Sequence, residues 1–378
     1  MSRLGPWVCV RLMAGAVIGS IAMAAGPAQA AGAYGAGGAS TDLVAPFHTV
    51  APQTQRVAGS GCLPTPLAPQ SLAIGAIYQK GDPTFSHLDL PAQQAVAKLM
   101  RPIWDFDAAV DTEANRYTKS RGADVAAGAC ALRMLDSWAT SNAVMQLTGH
   151  DSYLYRANLI SALSFDFMQV RGLNTGDPGQ NPRIAAWLRR LGEDTMDHWS
   201  HLPPQSMVNL NNHRAWAGLA AAAAGVASQD RRLFAWGLDS YRVVACEGDA
   251  DGALPRELSR ASRARHYMLY TAEPLVMTAE LGEANGMGAY ALCAGAVHRI
   301  ASFALRSVDD PSEIERKAGA AQEPFFRPDG SFSKPDLAWV EAYRRRFPDR
   351  VRLPTAFISS RPYFAPDLGG DLTALFSP

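Results

Sequence analysis

The chain has 378 residues, of which 48% are hydrophobic and 19% are charged. This composition supports a large buried core and excludes disordered and fibrous proteins. The 35 lysine and arginine residues balance 35 aspartate and glutamate residues. The basic excess of a nucleic-acid-binding protein is therefore missing, and we expect no nucleic-acid partner. An anionic partner would have to be bound by a local group of cations.

The first 30 residues have the pattern of a secretory signal peptide. Arg3 and Arg11 precede the apolar stretch 12–25, and the tripeptide Ala-Gln-Ala follows at 28–30. A basic start, an apolar centre and small residues at the cleavage site are typical of such signals, and an uncleaved anchor is the alternative. We expect removal of residues 1–30 and a periplasmic or secreted protein. No later apolar run reaches the roughly 18 residues of a membrane span, so the mature chain is expected to have none.

Four cysteines remain once the signal peptide is removed, at positions 62, 130, 246 and 293. An even number in an oxidising compartment favours disulfides, and three connectivities are possible. We favour Cys62–Cys130, which would join the N-terminal segment to the first helical region, with Cys246–Cys293 as the second pair. The sequence has no CxxC pair and no His/Cys cluster with zinc spacing, so no thiolate metal site is expected.

Residues 31–60 are rich in small and polar residues without an apolar period, and they predict a flexible leader. One domain over 61–378 follows, with apolar residues at the three- and four-residue spacings of helices. Glycine and proline clusters interrupt this pattern near 172–182, 202–205, 248–255, 282–288 and 324–335. The pattern predicts about ten to a dozen helices, paired around a cleft, and no sheet.

The segment Asn-Asn-His-Arg-Ala-Trp at 211–216 precedes an alanine run and predicts a helix N-terminus. Asparagine is a favoured N-cap and alanine a strong helix former, so His213 is expected in the first turn. Free N–H groups there bind anions, and Asn212 and His213 add side-chain donors. Trp216 shares this helical face and is a candidate platform for a sugar ring. The alternative is an ordinary helix cap with the histidine and tryptophan packed in the core.

A second cluster runs from Leu-Pro-Arg-Glu-Leu at 254–258 to Tyr267. Arg260 and Tyr267 are seven residues apart, which places them on one face of a continuous helix. A nearby guanidinium favours the phenolate and prepares the tyrosine to act as a base. Tyr270 is a candidate substrate-binding residue. The alternative is a solvated basic face with a core tyrosine.

These two clusters, with Ala-Cys-Ala-Leu at 129–132, Ser-Trp-Ala at 137–139 and Leu-Gly-Gly-Asp-Leu-Thr at 368–373, resemble the secreted alginate lyases of polysaccharide lyase family 5. The resemblance covers most of residues 62–378. It implies an all-α fold, namely an (α/α) toroid or incomplete (α/α)6 barrel with a deep substrate cleft. Trp138, within the second of these motifs, is a further candidate for a sugar subsite, with a core position as the alternative.

The resemblance also implies the reaction and its residues. The partner would be an anionic polysaccharide, a polyuronate that is normally mannuronate-rich alginate, cleaved by β-elimination without a metal or organic cofactor. Asn212, His213 and Arg260 would neutralise the substrate carboxylate. Tyr267 would take the C5 proton and then donate a proton to the departing O4, with His213 as a candidate base for the opposite C5 epimer. We expect a monomer.

The sequence departs from the family pattern at two positions, and the lid residue of the family has two candidates here. Ala215 stands where relatives commonly have an aromatic residue, and Met268 where they commonly have histidine; we expect both to border the cleft and to affect the preferred sugar. A glucuronate-containing exopolysaccharide is therefore an alternative substrate. The lid segment of the family corresponds to 77–82 here, with Tyr78 or Lys80 as the residue that reaches the substrate.

Two other functions remain open at the level of sequence. A glycoside hydrolase on a helical scaffold could use Glu257 with Asp249 or Asp251 as its acid and base. In the lyase interpretation, Glu257 would instead be the structural partner of an arginine. A non-catalytic polysaccharide-binding protein would keep the cleft but would not need Tyr267.

Overall fold

The computed structural model describes residues 42–57 and 61–377. The predicted signal peptide, residues 1–30, lies outside the described residues. Twelve α-helices form this part of the chain: α1 (Leu90–Lys119), α2 (Val125–Thr140), α3 (His150–Val170), α4 (Gln180–Ser200), α5 (Asn212–Ser228), α6 (Arg231–Ala245), α7 (Pro255–Leu258), α8 (Ala264–Ala284), α9 (Leu292–Asp309), α10 (Ser312–Ala318), α11 (Pro335–Arg346) and α12 (Leu372–Leu375). No helix within these residues is long and apolar enough to cross a membrane.

Four short strands accompany the helices, although the sequence predicted no sheet. They are β1 (Ser71–Ala73), β2 (Gln146–Thr148), β3 (Phe364–Ala365) and β4 (Gly370–Asp371). β1 pairs with β2 in parallel, with Leu72 opposite Leu147, and β3 pairs with β4 in antiparallel orientation. With two or three residues each, these strands are too short to show a two-residue hydrophobic period in the sequence.

The helices form two rows. Each of α1, α3, α5, α8 and α11 packs on the next in an inner row, and α2, α4, α6 and α9 do the same in an outer row. The pairs α1–α2, α3–α4, α5–α6 and α8–α9 connect the rows. This arrangement is an (α/α) toroid, so the predicted fold class is confirmed.

Helix α5 lies at the centre and is buried on almost every side. A helix that is apolar all round belongs in a core, and the alanine run also supplies strong helix formers. Its small residues permit close packing: a Cβ atom added to Gly237 of α6 would lie 2.5 Å from the carbonyl oxygen of Gly218. These two glycines therefore let α5 and α6 approach closely.

The two disulfides are Cys62–Cys130 and Cys246–Cys293, as predicted. The flexible leader predicted over 31–60 is corrected for residues 42–57, which pack on the helical core. Leu43 and Phe47 are buried, the Leu43 amide donates to Gln229, and the Val57 amide donates to the Asn174 carbonyl. This segment has no apolar period because it forms neither a helix nor a strand and is held by scattered contacts.

Candidate active site

A cavity of about 510 Å³, here called the cleft, opens at one end of the inner row. Its walls come from α1, the N-terminal halves of α3, α5 and α8, and the loop 76–88, here called the lid loop. Three helix N-termini of the inner row therefore face the same space. Because the N-terminal end of a helix carries a partial positive charge, this end of the toroid favours an anionic ligand.

The lid loop is held in shape by Asp82. Its carboxylate accepts hydrogen bonds from the amides of Thr84, Ser86 and His87. These bonds and that from the Thr84 hydroxyl stabilise the ionised form and hold the pKa of Asp82 well below its usual value. A bridge between Tyr78 and Leu88 closes the loop. The lid loop therefore has a defined shape over the cleft.

Asn212 and His213 begin α5 and line the cleft, with Asn211 as the N-cap that accepts a hydrogen bond from the His213 amide. Asn212 is fully buried, and its backbone and side-chain N–H groups donate to Glu257. Its Oδ1 atom has no partner. Glu257 also accepts from Thr271 and does not line the cleft. The sequence predicted that Glu257 is the structural partner of an arginine. The structure gives it an electrostatic interaction with Arg260 and also uses it to fix Asn212.

His213 is neutral near pH 7. Burial, followed by the nearby His150 and the positive charge of Arg260, lowers the pKa of His213 to about 3. Its ring stacks on that of His150 with centroids 5.5 Å apart, and its Nδ1 atom has no partner. His213 can therefore offer a donor or a base to a ligand, but no full positive charge.

Arg260 and Tyr267 meet in the cleft, although not on one helix as the sequence predicted. Arg260 lies in the turn between α7 and α8, where Ala261 has a left-handed φ of 48° that breaks the helix. The Arg260 guanidinium carbon nevertheless lies 3.6 Å from the centroid of the Tyr267 ring. Its Nη2 atom donates to the carbonyl of Phe85 in the lid loop. The cation is thus fixed between the phenol and the lid loop.

Tyr78 of the lid loop contacts Tyr267, hydroxyl to hydroxyl. Arg263 donates to the Tyr78 hydroxyl at 3.2 Å. Burial raises the pKa of Tyr78, while Arg263 and Arg260 oppose the shift. Lys80 is exposed and does not line the cleft. Of the two lid candidates, the structure therefore brings Tyr78 to the site and leaves Lys80 outside.

The two tryptophans that were candidates for sugar binding do not line the cleft. Trp216 and Trp138 are fully buried: Trp216 packs against Tyr270, and Trp138 stacks on Phe106 with ring centroids 3.6 Å apart. Neither offers a face to a sugar. Trp104 on α1, which the sequence analysis missed, lines the cleft and is 44% exposed. A helical tryptophan gives the same sequence signal whether it packs inside or faces a cleft.

Tyr270, predicted to bind substrate, lines the cleft, and its hydroxyl accepts a hydrogen bond from Asn158 at 2.9 Å. His266 also lines the cleft, and burial, with Arg263 and Arg260, lowers its pKa to about 3. Sequence reasoning missed His266 as well as the floor of the cleft, where Asp107 and Asp367 lie. These acids are 260 positions apart in the chain, so no local pattern could have associated them.

The structure does not support the hydrolase alternative or the expected positions of Ala215 and Met268. Asp249 and Asp251 both pair with Lys317 and do not line the cleft, so they do not form a hydrolase acid/base pair with Glu257. Ala215 and Met268 were expected to border the cleft, but both are buried and neither lines it. In the described ranges, 42–57 and 61–377, no group of three His, Cys, Asp or Glu side chains is placed to hold a metal ion.

Comparison with known proteins decides the family. Residues 97–314 match the sequence profile described as Alginate lyase. An alginate lyase of Azotobacter vinelandii is 30% identical over 309 residues, which are 80% of each chain. A polysaccharide lyase of Stenotrophomonas maltophilia is 31% identical over 82% of this chain and 89% of its own. The chain belongs to the alginate lyase family.

Solved structures agree with this assignment. The crystal structure of alginate lyase A1-III from Sphingomonas species A1 superposes with a TM-score of 0.69 at 27% identity, covering 87% of this chain and 89% of its own. A variant of A1-III complexed with a tetrasaccharide gives a TM-score of 0.68 at 26% identity, covering 86% and 88%. This member of the alginate lyase family is accordingly a polysaccharide lyase with an (α/α) toroid fold.

Proposed function

We propose that this lyase is exported and cleaves a polyuronate, mannuronate-rich alginate first among them, by β-elimination, as a member of polysaccharide lyase family 5. Its relatives named alginate lyase and the tetrasaccharide complex of A1-III support the substrate class. Two disulfides are compatible with the oxidising periplasm or exterior. We also keep the expectation of a monomer.

The chemistry requires neutralisation of the substrate carboxylate. A C5 hydrogen beside a carboxylate is a very weak acid, because its removal places a second negative charge on that group. Asn212, His213 and Arg260 line the cleft together. His213 supplies a neutral imidazole and Arg260 a cation, whereas the N–H groups of Asn212 donate to Glu257, so its amide would have to turn to donate to the carboxylate. Preorganised donors of this kind are each worth about 3–4 kcal/mol at comparable oxyanion sites.

Tyr267 acts as the base and then the acid. Its phenolate oxygen takes the C5 proton, and the electrons of the C5–H bond become the C4=C5 double bond. The C4–O4 bond breaks, and O4 leaves with the proton that Tyr267 returns. No water is consumed, and Tyr267 ends as the phenolate in which it started. A positioned base contributes roughly 10²–10⁴-fold.

Neighbouring sugar units would bind to the aromatic side chains of the cleft. Trp104 presents an exposed face on α1, and Tyr270 presents a partly buried ring on α8. Aromatic rings provide an apolar surface for the C–H face of a sugar, and the Tyr270 hydroxyl adds a polar group. Tyr78 of the lid loop completes the roof above Tyr267.

The observation that carries this proposal is the Arg260 guanidinium against the Tyr267 ring inside the cleft. The test is the Tyr267→Phe variant on mannuronate, guluronate and glucuronate homopolymers. Elimination creates a conjugated C4=C5 bond that absorbs ultraviolet light, whereas hydrolysis does not. We expect the variant to lose turnover while it still folds and binds polymer. Tyr117→Phe, which removes a buried hydroxyl outside the cleft, is the matched control.

Near-normal activity of Tyr267→Phe would remove this tyrosine from the mechanism. Chain cleavage by the wild-type protein without the ultraviolet signal would identify a hydrolase. Polymer binding without any cleavage would identify a binding protein.

A further inference from the structure

Five acidic side chains lie close together at the floor of the cleft and behind it. Asp107 and Asp111 lie one turn apart on α1, Asp166 on α3, Glu273 on α8 and Asp367 in the turn before β4. The first four are at most 4% exposed. No ion pair within the described part of the chain includes any of the five.

Acids buried together without a cation hold protons, because a buried charge without a partner loses its hydration and gains little in return. Burial and the mutual repulsion of the carboxylates raise the pKa of Asp107 and of Asp111. Burial raises the pKa of Asp166 to about 8 and also raises that of Asp367. These shifts favour the protonated carboxylic acids, which are hydrogen-bond donors as well as acceptors.

Two of these acids face the cleft, beside polar atoms that lack a partner. Asp107 and Asp367 line the cavity, and the buried Oδ1 atom of Asp107 accepts no hydrogen bond. Asn158 donates to Asp367 at 3.0 Å and to Tyr270 at 2.9 Å, while its own Oδ1 atom is buried and unpartnered. Buried polar groups are normally paired, so these atoms indicate where a ligand supplies the partner.

The position of Asp107 and Asp367 along the cleft indicates which part of the ligand they would bind. The ring centroids of Tyr267 and Tyr270 are 6.5 Å apart, and Asn158 connects Tyr270 to Asp367. The acids therefore lie beside the reacting centre and not at it. A sugar unit next to the uronate that is cleaved would reach them.

We propose that Asp107 and Asp367 form a sugar-binding subsite next to the reacting uronate, in which their carboxylic acid groups donate hydrogen bonds to hydroxyl or ring oxygens. This inference rests on the proposed polyuronate lyase function. In the protonated form, the acids bind the neighbouring sugar without repelling its carboxylate. Once ionised, they lose the donor and repel the polyanion, so the affinity for polymer falls as the pH rises.

Other titratable groups surround the subsite and contribute to the same pH dependence. Asp111 shares the helix of Asp107, Asp166 faces it from α3, and Glu273 and Tyr270 face Asp367 from α8. Asp336 of α11 acts on Glu273, and burial raises the pKa of Asp336 to about 6. The substitutions must therefore be made at the two cleft-facing acids themselves.

The experiment measures kcat and KM on polymannuronate between pH 6 and 9 for the full-length mature protein. We expect the wild-type KM to rise about tenfold over this range. Asp367→Asn and Asp107→Asn keep a donor but cannot ionise, so each should keep KM at pH 6 within about threefold of wild type and weaken its dependence on pH. Asp367→Leu removes the donor and should raise KM about tenfold at pH 6, with kcat little changed. Asp105→Asn, an exposed acid on the same helix, is the matched control and should follow the wild-type profile.

Asp367 lies in a partly exposed turn, so its variants decide the question even if Asp107→Asn does not fold. The inference is overturned if the Asn variants keep the full pH dependence of KM, or if Asp367→Leu leaves KM unchanged. If the wild-type protein gives no unsaturated product from any polyuronate, the lyase proposal itself fails and takes this subsite with it.

Discussion

Replacement of Arg260 tests the electrostatic part of the proposed mechanism most directly. The side chain is 3% exposed, so its charge is little screened by solvent. Burial lowers the pKa of Arg260, and Tyr78 and Glu257 oppose the shift; a guanidinium nevertheless stays charged at neutral pH. Arg260→Ala removes this charge and also the hydrogen bond to the Phe85 carbonyl.

The size of the effect follows from the loss of one charge pair. The guanidinium carbon lies 3.6 Å from the Tyr267 ring centroid, so a substrate carboxylate bound beside Tyr267 would lie next to this cation. Two unit charges about 4 Å apart interact by about 4 kcal/mol at an effective dielectric constant of 20. Part of this energy is recovered by water entering the vacated space, so we expect a loss of about 3–4 kcal/mol in the transition state. Since each 1.36 kcal/mol is a factor of ten in rate, kcat should fall about 10²–10³-fold.

The assay follows ultraviolet absorbance of the unsaturated product at saturating polymannuronate. Arg260→Lys keeps the charge but loses the planar fork, and it should recover part of the rate. Arg256→Ala removes an arginine of the same segment that does not line the cleft, and it should leave kcat unchanged. A kcat for Arg260→Ala within threefold of wild type, in a protein with normal circular dichroism, would refute the assignment of carboxylate neutralisation to this residue.

Three further predictions follow from the same structure. Because the pKa of His213 is lowered to about 3, titration of this histidine should not reduce kcat between pH 6.5 and 4.5; a fall there that is absent in His213→Gln would contradict this. Trp104→Ala should raise KM about fivefold, because it removes about 1 kcal/mol of aromatic contact with the sugar. Leu99 is exposed on the same helix but lies outside the cleft, so Leu99→Ala should leave KM unchanged. The pKa of Asp166 is raised on folding, so the folded state holds the extra proton and the free energy of unfolding should fall as pH rises from about 4 to 8. Denaturant unfolding at several pH values should show a weaker decline for Asp166→Asn, and an identical decline would refute it.

Features of the fold that depend on residues close together in the sequence could be predicted. The helix that begins with Asn212 was predictable because its N-cap, first turn and alanine run are contiguous. The two disulfides were favoured from the cysteine count and their order along the chain. The toroid itself came from the resemblance, because helix periodicity alone does not determine how the helices pack.

The errors concern features that depend on tertiary packing. Arg260 was placed on a helix because nothing in the sequence marks the left-handed conformation of Ala261. Trp216 was expected in the cleft and Trp104 was overlooked, because both lie on helices and burial depends on which neighbour covers them. The two arginine contacts of the lid loop, Arg260 to Phe85 and Arg263 to Tyr78, join residues more than 170 positions apart.

The distribution of charge explains how a protein of zero net charge could act on a polyanion. Among the described residues that line the cleft, Arg260 and Arg263 are the lysine or arginine side chains present, and both lie beside Tyr267. His213 and His266 are neutral there because burial lowers the pKa of each to about 3. Positive charge is therefore concentrated at Tyr267, where the proposed mechanism neutralises one carboxylate, while burial raises the pKa of Asp107 and Asp367 at the floor. A cleft lined with cations along its whole length would bind every uronate equally, in the ground state as in the transition state, and uniform binding does not accelerate the chemical step.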